Sequence, residues 1–124
     1  MAAPSTDLLR KLADSDEVEI ETRRDQRSSL HRTTIWIVPT EKGVYVRSVY
    51  VKGRWYQEAL ANRRVTIRAG GEKVAARIQR VSDSSVIRTI NAAAREKYGE
   101  QWPKDANSFV RLSRQHTTLR LIPQ

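Results

Sequence analysis

Two consecutive glycines, Gly70 and Gly71, constrain the fold of this chain more than any other feature of its sequence. They separate two stretches, 65–69 and 73–80, that read as β-strands. A two-residue loop between strands favours residues that tolerate positive φ, and glycine adopts that conformation at the least steric cost. The glycine pair therefore predicts an antiparallel β-hairpin.

Further strands are predicted from alternating or continuous apolar runs, which bring the expected number to six. They cover residues 17–22, 33–38, 44–51 and 116–122. In the first of them, alternation places Val18 and Ile20 inside and Glu17, Glu19 and Glu21 in solvent. The second is almost wholly apolar up to Pro39, which predicts a strand covered on both faces.

Three helices are predicted by N-caps and apolar stripes. The first lies within residues 1–14, the second covers 54–62, and the third, 83–98, is capped by Ser82 or Asp83 and followed by Gly99. A short helix through 109–112 is a further option.

The order of these elements predicts a mainly β (α+β) fold. Hairpin-rich connectivity favours an antiparallel barrel over a parallel α/β sheet. We expect one domain, residues 1–124, with barrel strands within 17–81 and 115–122 and two or three peripheral helices. The expected core comprises Ile35, Trp36, Ile37, Val44, Val46, Ile67, Val74, Ile78, Leu119 and Leu121.

Composition narrows the class of protein. The chain has no cysteine, which excludes disulfides and thiolate chemistry, and it has no membrane-length apolar run or signal-peptide pattern. We therefore expect a cytoplasmic protein. The formal charge of +9 comes from 23 Lys and Arg against 14 Asp and Glu, and predicts an anionic partner.

A basic turn at 22–32 is the first candidate site. It holds several arginines close to small hydroxyl groups, and this combination suits an oxyanion such as phosphate. The residues are Arg23, Arg24, Arg27, Ser28, Ser29, His31 and Arg32, with Thr33 and Thr34 following. The alternative is a solvated hairpin tip.

Arg47 is the second candidate, because it falls on a strand side otherwise occupied by Tyr45, Val49 and Val51. Such a conflict between a residue and its surroundings often marks a functional position. The alternative is that Arg47 pairs with a strand carboxylate such as Glu19 or Glu21.

Other chemistries have little support. The two histidines, His31 and His116, have no metal-ligand partners at suitable spacing, and no nucleophile elbow or phosphate-binding glycine loop occurs. Asp25 and Glu58 carry no signal as an acid–base pair among 14 carboxylates. Nucleic-acid binding stays open because of the charge, although no known recognition module is visible.

Several short motifs resemble a small family of split β-barrel proteins related to deazaflavin-dependent nitroreductases, within the flavin-mononucleotide-binding and pyridoxamine-phosphate-oxidase-like superfamily. The motifs are R-S-S-L-H-R-T-T-I-W, V-Y-V-R-S, W-Y-x-x-A-L-A-N-x-x-V-T-I, G-G, K-Y-G and T-L-R-L-x-P. The resemblance runs from Val18 to Pro123 and implies a six-stranded split barrel and a homodimer.

The resemblance also implies a site. Positions that hold the cofactor's phosphate tail in the related nitroreductases fall on Arg27, Ser28, Arg32, Arg47 and Ser48, and Trp55 and Tyr56 would flank the ring. The implied cofactor is flavin mononucleotide (FMN) or an 8-hydroxy-5-deazaflavin coenzyme, with another phosphorylated ligand left open. No dedicated proton donor stands out, although Tyr45, Tyr50 or Tyr56 is available.

The sequence therefore predicts a flavin- or deazaflavin-binding oxidoreductase-like protein. The alternative is a non-enzymatic basic module that binds an anion or a nucleic acid.

Overall fold

The computed structural model describes residues 4–124, apart from the side chains of residues 4 and 112. Its helices are α1 (Pro4–Ala13), α2 (Arg54–Asn62), α3 (Ser84–Tyr98), α4 (Pro103–Phe109) and α5 (Leu112–Gln115). Its strands are β1 (Val18–Thr22), β2 (His31–Ile35), β3 (Val38–Pro39), β4 (Val44–Val46), β5 (Arg64–Ala69), β6 (Glu72–Arg80) and β7 (Leu119–Pro123). Residues 1–3 of the predicted N-terminal helix lie outside the described residues.

All the strands join one antiparallel sheet in the order β2-β1-β5-β6-β7-β4-β3. The sheet curls into a half-barrel, which confirms the predicted antiparallel split barrel. Within residues 4–124 there are seven strands and five helices, where six strands and two or three helices were expected. The β5–β6 hairpin turns as predicted, with φ of 58° at Gly70 and 81° at Gly71.

The seventh strand arises because the predicted strand 33–38 divides in two. The chain crosses from β2, at one edge of the sheet, to β3, at the opposite edge, through Trp36 and Ile37. The N–H of Ile37 donates to the Tyr98 hydroxyl at 3.1 Å, and its carbonyl accepts from that hydroxyl at 3.0 Å and from Lys97 Nζ at 2.8 Å. Side chains at the end of α3 therefore take the place of strand pairing at Trp36 and Ile37, the crossing between β2 and β3 that we call the seam.

The predicted strand 44–51 is shorter than expected. β4 ends at Val46, and the following residues turn away because Ser48 Oγ donates to the Tyr50 carbonyl at 2.8 Å and accepts from the Tyr50 N–H at 3.2 Å. Gly53 fits against this turn, since a Cβ there would lie 2.9 Å from Ser48 Oγ. Val49, Tyr50 and Val51 are left exposed.

Two apolar clusters flank the sheet. The barrel interior contains nine of the ten predicted core residues, all buried: Ile35, Ile37, Val44, Val46, Ile67, Val74, Ile78, Leu119 and Leu121. The second cluster lies under α3 and α4 and contains Val38, Tyr45, Ile90, Ala94, Tyr98, Ala106, Phe109 and Val110. Trp36, the tenth, is half-buried against the second cluster and stacks on Tyr98 with ring centroids 3.8 Å apart.

None of the helices among the described residues combines the length and the apolar character needed to cross a membrane.

Candidate functional site

Arg47 follows β4 directly and continues the side of that strand on which Tyr45 faces the second cluster. Its side chain is 1% exposed, which is rare for arginine. The guanidinium donates from Nε to Thr118 Oγ1 at 2.8 Å, and from Nη1 to Asn91 Oδ1 at 2.7 Å and the Phe109 carbonyl at 3.0 Å. Two helices, α3 and α4, and the loop before β7 therefore fix its position.

The charge of Arg47 has no carboxylate counterion within 4.0 Å among the described residues. Its Nη2 is buried and has no hydrogen-bond partner within the same part of the chain. Burial lowers the pKa of Arg47 to about 10, and the positive charge of Arg114 adds to the shift. A buried cation without a counterion is costly, so the arrangement favours binding of an anion.

Arg114 supplies a second positive charge beside Arg47. Its Nε donates to the Ser48 carbonyl at 3.2 Å, and its guanidinium lies over the Phe109 ring, 5.1 Å from the centroid. The Arg47 guanidinium lies at the same distance from that centroid. Burial lowers the pKa of Arg114, while the negative charge of Asp105 acts in the opposite direction.

Both arginines line a cleft of about 250 Å³, which we call the Arg47 cleft. Its other lining residues are Glu17, Thr33, Thr34, Ile35, Trp36, Val49, Trp55 and Asp105. The two carboxylate residues are exposed, whereas Arg47 is fully buried. Water therefore screens the carboxylates more than the arginine. The cleft offers cations, hydroxyl groups and two indole rings.

Arg32 forms an ion pair with Glu21 and does not line the Arg47 cleft. Its Nε donates to Glu21 Oε2 at 2.9 Å, and Arg68 Nη1 donates to Glu21 Oε1 at 3.3 Å. Glu21 is therefore buried beneath two arginines, and the expectation that it points into solvent was wrong. The alternative partner for Arg47, a strand carboxylate such as Glu19 or Glu21, was also wrong.

The basic turn is ordered around Asp25. One carboxylate oxygen of Asp25 accepts from the N–H of Arg27 at 2.9 Å, and from the N–H and hydroxyl of Ser28 at 2.9 and 3.0 Å. These hydrogen bonds lower the pKa of Asp25. Neither Arg27, Ser28 nor Arg32 is among the residues that line the Arg47 cleft.

The other predicted site residues support the cleft or lie away from it. Ser48 is buried, and its carbonyl positions Arg114. Trp55 lines the cleft, whereas its neighbour Tyr56 is 1% exposed and packs in the barrel core. Of the tyrosines available as proton donors, Tyr45 is also buried and Tyr50 is 70% exposed.

Arg114 was missed by the sequence reasoning. It lies in α5, a helix of four residues that is too short for an apolar stripe to reveal. The sequence signal available was its position four residues before Thr118, which the last predicted strand placed beside the barrel.

His31 belongs to a different cluster. Its Nδ1 lies 2.9 Å from Glu58 Oε2, and Thr22 donates to Glu58 Oε1 at 2.8 Å. The cluster ties the ends of β1 and β2 to α2, so these polar residues have structural partners.

Comparison with known proteins identifies a family and a fold. A family profile described as "Uncharacterized protein conserved in bacteria (DUF2255)" matches residues 8–121. The structure is similar to that of HutZ, a heme storage protein from Vibrio cholerae, at a TM-score of 0.67 and 16% identity over 95% of this chain and 89% of that one. None of the curated proteins matches the chain.

Two other solved structures are similar. A Listeria innocua protein provisionally named as a pyridoxamine 5′-phosphate oxidase gives a TM-score of 0.63 at 13% identity, over 98% of this chain and 94% of that one. An F420-H2 dependent reductase, FDR-A, gives 0.58 at 14% identity, over 86% and 93%. At these identities the likeness establishes the split-barrel fold alone.

Proposed function

Because this chain belongs to the DUF2255 family and folds as a split barrel, we propose that the Arg47 cleft binds the phosphorylated end of a flavin or deazaflavin cofactor. The protein would then act in an oxidoreductase-type reaction. Among proteins that share the fold, a reductase named for F420-H2 and a protein named after a pyridoxamine-phosphate oxidase support this class of ligand.

The observation that carries the proposal is the uncompensated charge of Arg47. Its buried Nη2 lacks an acceptor and its guanidinium lacks a carboxylate, both among residues 4–124. A phosphate oxygen would supply the acceptor and the negative charge together. The residues of the cleft therefore fit the anionic end of such a cofactor.

Other groups in the cleft have separate roles in the proposal. Arg114 donates to a second phosphate oxygen, and the hydroxyl groups of Thr33 and Thr34 provide uncharged donors. The rings of Trp36 and Trp55 offer apolar surface to a flat ring system. When bound, the cofactor supplies the hydride chemistry, while these residues bind it, orient it and exclude water.

A second copy of the chain completes the site in this proposal. The cleft of about 250 Å³ is smaller than the roughly 300–1,000 Å³ of most small-molecule pockets. Beside it, Val49, Tyr50 and Val51 are 54%, 70% and 50% exposed. An apolar rim on an incomplete pocket favours a homodimer that covers both. Sedimentation velocity at 10–100 µM (about the range of a moderately tight dimer) tests this point, and a monomer at every concentration would contradict it.

The test of cofactor binding is titration of the protein with FMN and with the deazaflavin coenzyme, followed by tryptophan fluorescence. Binding of either should quench the signal from Trp36 and Trp55. Arg114→Gln removes one charge-assisted contact, worth about 1.5–3 kcal/mol, so affinity should fall about ten- to hundred-fold. Arg47→Lys should weaken binding similarly, because lysine keeps the charge and loses the planar fork.

Arg111→Gln is the matched control, since Arg111 is exposed, lies three residues from Arg114 and does not line the cleft. Its affinity should stay within about two-fold of the wild-type value, in line with the small energies of exposed charges. An equal loss of affinity in Arg114→Gln and Arg111→Gln would refute the proposal. So would the failure of both cofactors to bind at high micromolar concentration. Tight binding of heme alone would point to the ligand class named for HutZ.

A further inference from the structure

We propose that the outer face of the β5–β6 hairpin is a second anion site, separate from the Arg47 cleft, that binds a chain of phosphates. The chain is either a free polyphosphate or the backbone of a nucleic acid. We call this face the hairpin face, and its cations are Arg64, Arg68, Lys73 and Arg77.

The register of the hairpin places like charges opposite each other. Arg64 lies directly opposite Arg77 on the neighbouring strand, and Arg68 lies directly opposite Lys73. All four lie on the side of the hairpin opposite the buried residues of the barrel interior. Like charges directly opposite in a sheet destabilise it, so this arrangement favours an anion that lies between them.

Nearby carboxylates neutralise little of this charge. Arg68 shares Glu21 with Arg32, but Arg64, Lys73 and Arg77 have no carboxylate within 4.0 Å among residues 4–124. These three are exposed, and their charge is therefore available to a ligand.

A shallow groove lies between the two cationic pairs. The pair that separates them, Thr66 opposite Ala75, has small side chains and forms the floor. One cation of each pair, Arg64 or Lys73, lines its sides, and Arg23 from the basic turn lines it as well. The one carboxylate residue in the lining, Glu21, is already bound by Arg32 and Arg68. The groove has a volume of about 500 Å³, which is ample for phosphate groups.

The spacing favours a chain over a single phosphate. Arg64 and Arg68 are four residues apart on one strand, which corresponds to about 13 Å at the usual rise per residue. One phosphate reaches both arginines only if their side chains lean toward each other along the strand, whereas consecutive phosphates reach both without this. The amides of Asn62 and Gln124, which also line the groove, add neutral donors.

The test measures binding of a fluorescein-labelled 20-nucleotide single strand by anisotropy in 20–300 mM salt, with sodium tripolyphosphate as competitor. The double variant Arg64→Gln/Arg77→Gln should bind about ten-fold or more weakly at low salt. The slope of log affinity against log salt should become less steep by about 1.4, which is about 0.7 for each of the two phosphate contacts removed.

Arg88→Gln/Arg95→Gln is the matched control, because it removes the same charge from exposed positions on α3. The affinity of this control for the strand should stay within about three-fold of the wild-type value, and its dependence on salt should be nearly that of the wild type. Tripolyphosphate that displaces the strand at sub-millimolar concentration identifies short phosphate chains as sufficient ligands. Displacement only by long nucleic acid identifies the nucleic-acid backbone, and both results support the site.

Equal losses in the two double variants would show that net charge alone attracts the strand, and would overturn the proposal. Failure of the strand and of tripolyphosphate to bind at 20 mM salt would do the same. Arg47→Lys should leave phosphate-chain binding unchanged, so this test and the cofactor test fail independently. Thermal melting controls for folding, since removal of like-charge pairs should raise the melting temperature slightly or leave it unchanged.

Discussion

Two arginine clusters in this molecule have opposite electrostatics. Around Glu21, two partly exposed arginines, Arg32 and Arg68, share one buried carboxylate. In the Arg47 cleft, a fully buried arginine and a second one beside it, Arg114, have no carboxylate within 4.0 Å among the described residues. The first cluster has a carboxylate that both arginines bind, and the second leaves two arginines in a cleft without one.

The contrast separates two reasons for placing arginine in a protein. An arginine that covers a buried glutamate contributes to folding, and its loss is measured as a change in stability. A buried arginine held by neutral acceptors gains no ion pair on folding, and the proposed function assigns its charge to a ligand. Mutations in the two clusters should therefore change different properties.

The largest effect is expected from Arg47→Ala, which should cost about 2–5 kcal/mol of stability because it empties a buried volume and leaves the Phe109 carbonyl without its donor. Arg47→Met loses the same hydrogen bonds but keeps most of the volume and removes the buried charge, so it should cost less than Arg47→Ala. Urea unfolding of both variants measures the difference. If the two variants lose the same stability, the charge and hydrogen bonds of the guanidinium, which both variants lack, support folding, and the contrast fails.

Glu21→Gln should cost about 1–3 kcal/mol at pH 7, since it removes the negative charge and leaves an acceptor oxygen for only one of the two arginine donors. Burial alone raises the pKa of Glu21, but hydrogen bonds and charges from Arg32 and Arg68 outweigh it, so the pKa lies below its ordinary value of 4.5. Between those two values the unfolded chain binds more protons than the folded protein.

The stability that Glu21 provides is therefore present above about pH 4.5 and is lost as pH falls through the lower folded-state value. Urea unfolding from pH 7 to pH 3 should show a wild-type advantage over Glu21→Gln that shrinks in acid. Asp25 and Asp83 also have lowered pKa values, but they are present in both proteins and cancel in the difference. An advantage that stays constant to pH 3 would rule out this role.

The smallest effect is expected from Arg32→Ala, at under about 1 kcal/mol, because its side chain is 52% exposed and Glu21 keeps Arg68 as a partner. The loss should shrink further in 0.5 M salt (about 4 Å of screening length), as expected for a screened ion pair. Arg27→Ala, in the exposed turn, serves as the comparison and should leave thermal melting unchanged. A loss above about 2 kcal/mol would show that Arg68 does not compensate.

Local patterns predicted the hairpin at Gly70-Gly71, helix α2 at its observed bounds and the long helix α3. These features depend on residues close in sequence, such as the Asp83 side chain that accepts from the N–H of Ser85 and Val86. The same patterns predicted a strand over 44–51 and missed the early end of β4 at Val46, because the Ser48–Tyr50 hydrogen bonds that end it carry no periodic signal.

The site was harder to predict, because its contacts join distant residues. Arg47 was recognisable as an inconsistency on its strand, but its partners Asn91, Phe109 and Thr118 lie 44, 62 and 71 residues away. Alternation correctly placed Val18 and Ile20 inside and failed for Glu21, since two arginines from neighbouring strands allow a carboxylate to be buried. Sequence spacing alone does not show such compensation.

The seam at Ile37 has a consequence for the motions of the barrel. Its backbone is held by Tyr98 and Lys97, and Lys97 also donates to the carbonyls of Ala13 and Ser15 at 2.7 Å each. Opening of the barrel at this point therefore requires the end of α3 to detach, and this releases the end of α1 at the same time. Separate elements thus become one cooperative unit for local unfolding. Amide hydrogen exchange at Ile37 accordingly reports the fraying of a helix terminus, although the residue lies between two strands.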